Sequence, residues 1–138
     1  MSETVEPAVA KGKTRLLIVD DEPDMLDFLE RVFRRDYVVI RARSVDEAEV
    51  ELARQEVDVV VTDRRMPRRH GLELLELVAR NHPSTIRVLL TGYADSAVNE
   101  SVSQMSLVDA WVQKPIDSQA LRQTVADAVL LRKTGRSG

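Results

Sequence analysis

RLLIVDDEP (residues 15–23) joins a continuous apolar run to three acidic residues and a proline. An uninterrupted run such as Arg15–Val19 is typical of a strand that is buried on both of its faces. Pro23 favours the first turn of a helix. Apolar residues then recur at helical spacing: Met25, Phe28, Leu29, Val32 and Phe33. The first unit of the chain is therefore predicted to be a buried strand that leads, through an acidic turn, into a helix.

The same strand-then-helix alternation continues to the end of the chain. Further strands are predicted at Tyr37–Ile40, Val57–Thr62, Ile86–Leu90 and Ala110–Val112. Ser44 and Glu47 form a capping-box pattern that opens the second helix. Asp117 or Ser118 is predicted to cap the last helix. The inward faces of the second, third and last helices are predicted to be Val45, Ala48 and Leu52; Leu72, Leu75, Val78 and Ala79; and Leu121, Val125, Ala128 and Val129.

Five such units in series predict an α/β fold: a doubly wound, five-stranded parallel sheet between two layers of helices, of the flavodoxin-like (βα)5 kind with three layers. The fourth helix, Ala97–Met105, is rich in serine and valine and is expected to be the least stable. One domain is predicted at 14–132, between a flexible N-terminal arm at 1–13 and a flexible, basic C-terminal tail at 133–138.

Composition excludes several classes of function. The chain has 138 residues and a formal net charge of −3, which argues against direct binding of nucleic acid. It has no cysteine, so disulfides and cysteine metal sites are excluded. The apolar runs are too short to insert into a membrane, and the polar first dozen residues do not resemble a signal peptide. These features predict a cytoplasmic protein.

Charged and polar side chains follow four of the predicted strands. Asp20 and Asp21 follow the first strand and Asp63 the third, while Thr91 follows the fourth and Lys114 the fifth. Ligands of such sheets bind beyond the carboxyl ends of the strands. Clustered carboxylates repel each other, and a hard cation such as Mg²⁺ would relieve that repulsion. A carboxylate beside Mg²⁺, a lysine and a hydroxyl could accept a phosphoryl group, although each residue alone is more often part of a turn or cap.

Four segments resemble the receiver domain of two-component response regulators: LLIVDDEP (16–23), VVVTDRRMPRRHGLELL (59–75), LLTGYAD (89–95) and WVQKPID (111–117). The resemblance extends over Leu16–Leu131. It implies that Asp63 is the phosphoacceptor. It also implies a Mg²⁺ site in which Asp21 and Asp63 are direct ligands, Asp20 acts mainly through water and the backbone carbonyl of Arg65 completes the set.

The resemblance also implies a signalling role rather than an enzymatic one. Thr91 would bind one phosphoryl oxygen and Lys114 another, and Trp111 occupies the position of the family's switch aromatic. Movement of Thr91 and Trp111 would reshape the surface formed by the predicted helix at 97–105, the strand at 110–112 and the last helix. The expected partners are a histidine kinase or a histidine phosphotransfer protein, a downstream protein, and a second copy of the chain when phosphorylated.

Two residues depart from the receiver pattern. Arg65 stands two positions after Asp63, where the family usually has a small or polar residue, and its guanidinium could reach the acidic cluster or the phosphoryl group. Tyr93 could either screen the phosphoryl group from water or dock a partner. Arg64, Arg68 and Arg69 are interpreted as a solvated basic patch.

Three alternatives remain open from the sequence. The chain could be a pseudo-receiver scaffold that is recognised without phosphorylation, or a small phosphotransfer or phosphatase enzyme that uses Asp63 on an external substrate. As a receiver, it is expected to lack an attached output module; alternatively it is the N-terminal fragment of a longer regulator that continues into an effector domain.

Overall fold

The computed structural model describes residues 13–92 and 106–135, the last three of them for the backbone alone. The predictions for the N-terminal arm, for the helix at 97–105 and for Tyr93 therefore lie outside the described residues, apart from Lys13. The strands are β1 (Thr14–Val19), β2 (Tyr37–Ala42), β3 (Val59–Asp63), β4 (Ile86–Thr91) and β5 (Ala110–Gln113). The helices are α1 (Pro23–Phe33), α2 (Val45–Arg54), α3 (Gly71–Asn81) and α4 (Ser118–Gly135).

The five strands form one parallel sheet in the order β2-β1-β3-β4-β5, which confirms the predicted doubly wound α/β fold. From β1 the chain first moves outward to β2 and then returns to place β3 on the other side. The order of the strands thus reverses between β1 and β3. A crevice forms beyond the carboxyl ends of strands at such a reversal, and Asp20 and Asp63 stand at these two ends.

Two apolar clusters cover the two faces of the sheet. On one face, α1 and α4 pack against alternate residues of the strands through Leu29, Phe33, Leu121 and Val125, among others. On the opposite face, α2 and α3 pack through side chains that include Ala48, Leu52, Leu74, Leu75 and Val78. The residues of β1 and β3 belong alternately to the two clusters, as expected for strands buried on both faces.

The helix caps follow from local sequence. The Ser44 hydroxyl accepts a hydrogen bond from the Glu47 amide at 3.0 Å, as the capping-box pattern predicts. The carboxylate of Glu47 reaches one residue further back than in a standard box, to the amide of Arg43 at 2.8 Å. Of the two residues predicted to cap the last helix, Asp117 has this role, because its Oδ2 accepts a hydrogen bond from the Ala120 amide.

The boundaries of all five strands differ from the prediction by one or two residues at an end, and that of the last helix differs by three. β3 begins at Val59 rather than Val57, because Asp58 makes a separate contact: its Oδ2 accepts a hydrogen bond from the amide of Arg15 at 2.8 Å. The last helix continues to Gly135 rather than ending at 132. Leucine, arginine and lysine are good helix formers, so the helix can extend past its last inward-facing residue. In the described part of the chain, none of the helices is long and apolar enough to cross a membrane.

Candidate functional site

Asp20 lies at the carboxyl end of β1 and is almost completely buried, with 2% of its surface exposed. Its amide continues the strand pairing by donating to the carbonyl of Ala42 at 3.1 Å. Its Oδ1 accepts a hydrogen bond from the amide of Glu22 at 2.9 Å. The turn that leads into α1 therefore fixes this carboxylate, and the amide of Glu22 provides a contact that the sequence pattern does not predict. Asp21, the next residue, is exposed.

Asp63, the last residue of β3, is also buried and is held by two donors from different parts of the chain. The ammonium group of Lys114, which follows β5, forms an ion pair with Oδ1 of Asp63. The amide of Arg65 donates a hydrogen bond to Oδ2 at 3.1 Å. The fold thus brings a lysine 51 positions further along the sequence into direct contact with this carboxylate.

The electrostatics show that Asp20 belongs to the same cluster. Burial raises the pKa of Asp20 from its ordinary value of 3.8 to about 6, and the negative charges of Asp63 and Asp21 act in the same direction. The hydrogen bond from Glu22 and the charge of Lys114 oppose this change. Three carboxylates and one ammonium group therefore interact at this end of the sheet. Burial and mutual repulsion destabilise the ionised form of the carboxyl group of Asp20.

The same negative charges stabilise the charged form of Lys114, because it is a cation. Burial alone would lower its pKa, but the hydrogen bond to Asp63 and the charges of Asp63, Asp20 and Glu22 together outweigh burial and raise it. Lys114 is therefore held as a cation. Its amide donates to the carbonyl of Thr91 at 2.7 Å, and the bond between Lys114 and Pro115 is cis.

Thr91 and Trp111 lie on the same face of the sheet. Thr91 is the buried last residue of β4, and Leu89, two residues earlier, packs in the cluster under α2 and α3. Trp111 pairs with Leu89 in the register of β4 and β5, so its side chain projects from that face as well. Trp111 is 41% exposed, which places it at the border between the sheet and the surface.

Gly71 anchors the end of the loop that follows Asp63 (residues 64–70, the acceptor loop). Its amide donates to the carbonyl of Arg64 at 2.9 Å, and a Cβ atom at position 71 would lie 2.1 Å from the carbonyl oxygen of Asp63. No side chain fits at that distance. Within the loop, Met66 is buried in the cluster under α2 and α3.

The structure corrects the interpretation of Arg69 as part of a solvated basic patch. Its guanidinium forms ion pairs with three carboxylates, at 2.8 Å to Asp46, 3.2 Å to Glu49 and 2.9 Å to Glu73. These contacts join the acceptor loop to α2 and α3. The spacing of Arg69 and Glu73 is visible in the sequence, but the contacts with α2 depend on the packing of the two helices.

The donors at the site are suited to a hard cation, although they are not arranged as a finished metal centre. Within residues 13–92 and 106–135, no group of three or more histidine or acidic side chains is positioned to hold a metal ion. The mutually repelling carboxylates of Asp20, Asp21 and Asp63 nevertheless supply oxygen ligands of the kind that Mg²⁺ prefers. Lys114 provides part of the neutralising charge by its contact with Asp63.

Comparison with known proteins agrees with this geometry. Residues 16–126 match the family model for the response regulator receiver domain. The chain is 36% identical to the response regulator protein PilR of Pseudomonas aeruginosa, covering 88% of this chain and 27% of PilR. It is also 36% identical to the hydrogenase transcriptional regulatory protein HoxA of Cupriavidus necator, covering 70% of this chain and 21% of HoxA. The chain thus spans about a quarter of the length of these relatives.

A solved structure shows the same likeness. A response regulator receiver domain protein from Clostridium thermocellum superposes with a TM-score of 0.76 at 25% identity, covering 88% of this chain and 98% of that one. The family match extends over most of the chain and includes the ends of all five strands. From its sequence, its sheet order and the residues at its strand ends, the protein belongs to the response regulator receiver domain family of two-component signalling.

Proposed function

We propose that Asp63 accepts a phosphoryl group from the phosphohistidine of a histidine kinase or a histidine phosphotransfer protein. One observation carries this proposal: the ends of three strands bring Asp63, its Lys114 partner and the buried Asp20 into one cluster. Here the cluster combines an accepting carboxylate with a cation that can neutralise phosphoryl oxygens.

The proposed step forms a bond between phosphorus and a carboxylate oxygen of Asp63. The bond between phosphorus and the imidazole nitrogen of the donor breaks, and the departing nitrogen is protonated from solvent. The product is an acyl phosphate, which water later hydrolyses to inorganic phosphate and free Asp63. Lys114 would exchange its contact with Asp63 for one with a phosphoryl oxygen, and the hydroxyl of Thr91 is proposed as the second donor.

The acidic cluster would hold Mg²⁺ during this step. Asp21 and Asp63 are the proposed direct ligands, Asp20 is proposed to act mainly through water, and the backbone carbonyl of Arg65 is the remaining protein ligand. The ion supplies positive charge that lowers the repulsion between the carboxylates and an incoming phosphoryl group. The burial of Asp20 supports this proposal, because Lys114 supplies one positive charge beside three carboxylates. A buried carboxylate is unfavourable where its charge is not fully compensated.

Phosphorylation is proposed to change the surface near β5. The phosphoryl group of the acyl phosphate carries about −1.5 to −2 charges at neutral pH, in place of the single negative charge of the free Asp63 carboxylate. It therefore gives Thr91 a strong acceptor to approach. Because Trp111 projects from the same face of the sheet, it can rotate toward the space that Thr91 leaves. The altered surface would then bind a downstream protein or a second copy of the chain.

The origin of the output is a separate question. The relatives PilR and HoxA are named as a response regulator and a transcriptional regulator, and this chain matches about a quarter of their length. We propose that the receiver acts on an effector that is either a separate protein or a further part of a longer chain. In both cases, the receiver would supply the phosphorylation-dependent surface and the effector the output.

The test exposes the protein to Mg²⁺ and acetyl phosphate and measures its mass. We expect the wild type to gain one phosphoryl group and Asp63→Asn to gain none. Beryllofluoride should change the fluorescence of Trp111, the only tryptophan of the chain, in the wild type alone. Unchanged mass and unchanged fluorescence would favour the scaffold, and turnover of free phosphoesters would favour the enzyme.

A further inference from the structure

We propose that Arg69 is a positioning residue for Asp63: by binding α2 and α3 together, it holds the acceptor loop so that the amide of Arg65 stays on the carboxylate of Asp63. The proposal rests on the proposed function, because it assigns Arg69 a role in the phosphorylation of that carboxylate. Arg69 itself does not touch the reacting atoms. It would act through the backbone of the loop.

The three nitrogens of the guanidinium each contact a different carboxylate. Nε faces Glu73 at 2.9 Å, one terminal nitrogen faces Asp46 at 2.8 Å and the other faces Glu49 at 3.2 Å. Glu73 belongs to α3, whereas Asp46 and Glu49 lie on α2. A planar guanidinium suits this arrangement because its donors point in fixed, different directions, while a lysine would offer a single point of charge.

The backbone beside Arg69 is strained. Arg68 has a φ of 73°, in the left-handed region that residues with a side chain seldom adopt. The amide of Arg69 donates to the carbonyl of Pro67 at 2.7 Å, so the chain turns sharply around Arg68. A turn of this kind is rare and unfavourable and needs surrounding contacts to hold it. The ion pairs of the next residue provide such contacts.

The same short loop carries the contact with the proposed phosphoacceptor. Two backbone hydrogen bonds hold the ends of the loop. The amide of Arg64 donates to the carbonyl of Leu90, and the amide of Gly71 donates to the carbonyl of Arg64. Between these points, the amide of Arg65 donates to Oδ2 of Asp63 at 3.1 Å. A change in the turn at Arg68 must therefore be absorbed within a few residues of this amide.

Loss of Arg69 would also change the balance of charge. Asp46, Glu49 and Glu73 would remain close together without the cation that they share, and their repulsion would favour separation of α2 from α3. The loop would then lose attachments to both helices at once. The orientation of the Asp63 carboxylate therefore depends on Arg69 more strongly than on Arg54, the exposed arginine of α2.

The first experiment measures amide hydrogen exchange by NMR in the wild type, in Arg69→Gln and in the control Arg54→Gln. Arg54 is an exposed arginine at the end of α2, and its guanidinium pairs with one carboxylate, that of Glu51. We expect exchange of the Arg65 amide to become about fivefold faster or more in Arg69→Gln, the lower end of typical couplings between sites. The control and the amides of β1 should not change. Arg69→Lys should give an intermediate rate.

The second experiment measures the rate of phosphorylation by acetyl phosphate at saturating Mg²⁺, where a loss of metal affinity has no effect. Phosphorylation of Arg69→Gln should be slower than that of the wild type, by about the factor by which exchange of the Arg65 amide becomes faster. The midpoint of its unfolding transition should stay close to that of Arg54→Gln. Equal exchange at Arg65 in the two variants would overturn the proposal, as would equal phosphorylation rates. If the wild type gains no phosphoryl group, the proposed function fails, and the exchange result alone decides whether Arg69 positions Asp63.

Discussion

The Cα atom of Gly71 approaches Asp63 so closely that a methyl group there would lie 2.1 Å from the carbonyl oxygen of Asp63. The first residue of α3 and the last residue of β3 are therefore in backbone contact. The two ends of the acceptor loop therefore lie next to each other, at the contact between Asp63 and Gly71. This contact explains why the residue that opens α3 must be glycine, and it leads to the first prediction.

Gly71→Ala should destabilise the protein by about 1–3 kcal/mol, the usual range for overpacking a close contact. Alanine is the better helix former, so local propensity alone would predict a gain. Urea unfolding measures the difference. Glu76→Ala, at an exposed position of the same helix, is the control and should stay within about 0.5 kcal/mol of the wild type. A stable Gly71→Ala variant would show that the loop can move away from Asp63.

Asp20→Asn should remove a pH dependence of stability. Because burial raises the pKa of Asp20 to about 6, the folded state binds a proton that the unfolded state has already lost. This stability is complete below the ordinary pKa of 3.8 and is lost as the pH rises through about 6. Without metal, the wild type should lose about 3 kcal/mol relative to Asp20→Asn between about pH 4 and about pH 8.

Urea unfolding in the presence of a chelator, at the two ends of this pH range, checks the prediction. The asparagine can still accept the hydrogen bond from Glu22, so the comparison isolates the charge. A constant difference in stability between the two proteins across the range would contradict the raised pKa. Added Mg²⁺ should restore stability to the wild type at the higher pH.

Lys114→Gln should bind Mg²⁺ more tightly. Lys114 neutralises Asp63 and lowers the negative potential at Asp20, so its positive charge opposes a second cation. Removing one charge at contact distance should strengthen binding by about tenfold, as measured by calorimetry. Arg122→Gln, on the outer part of α4, should leave the affinity unchanged. Weaker binding in Lys114→Gln would mean that the lysine organises the site more than it competes with the ion.

Arg65→Asn should also bind Mg²⁺ more tightly, by about two- to fivefold, as expected for an exposed charge. The substitution keeps the backbone amide that donates to Asp63 and removes only the guanidinium. The rate of loss of the phosphoryl group should change as well. Comparable affinity and comparable dephosphorylation in the two proteins would show that the side chain of Arg65 is not directed at the site.

The sequence predicts the strands and helices well where burial alone determines the pattern. Within the predicted run Arg15–Val19, the four apolar residues Leu16–Val19 are buried on both faces of the inner strand β1. Boundaries are predicted less well. Val57 is apolar and buried, yet it precedes β3, because its burial comes from packing in the cluster under α2 and α3 rather than from pairing in the sheet.

The sequence does not identify every inward-facing residue of a helix where two adjacent residues are both apolar. Leu26 is fully buried although the predicted face of α1 used Met25, and Leu74 is buried beside the predicted Leu75. The spacing of apolar residues defines a stripe about two residues wide on the helix. The direction of the helix axis over the sheet determines which residue of the stripe is buried. That direction depends on packing and is not contained in local sequence.

At the site, sequence motifs identify which side chains meet but not how they meet. The pairing of Lys114 with Asp63 follows from the position of both residues at strand ends. The amide contacts of Glu22 and Arg65 do not, because the geometry of the turn decides which backbone donor reaches a carboxylate. Arg69 was misinterpreted for a related reason: its partners on α2 lie about 20 residues earlier in the chain.

The strands of the sheet are enclosed to different degrees. β1 and β3, which carry Asp20 and Asp63, lie between two layers of helices, whereas β5 is an edge strand whose residues alternate between half-buried and exposed. Amide protons should therefore exchange slowest in the centre of the sheet and fastest at its β5 margin. If Asp63 is phosphorylated, the buried central strands would move little. We therefore expect the larger displacement at the edge strand β5, where Trp111 is partly exposed.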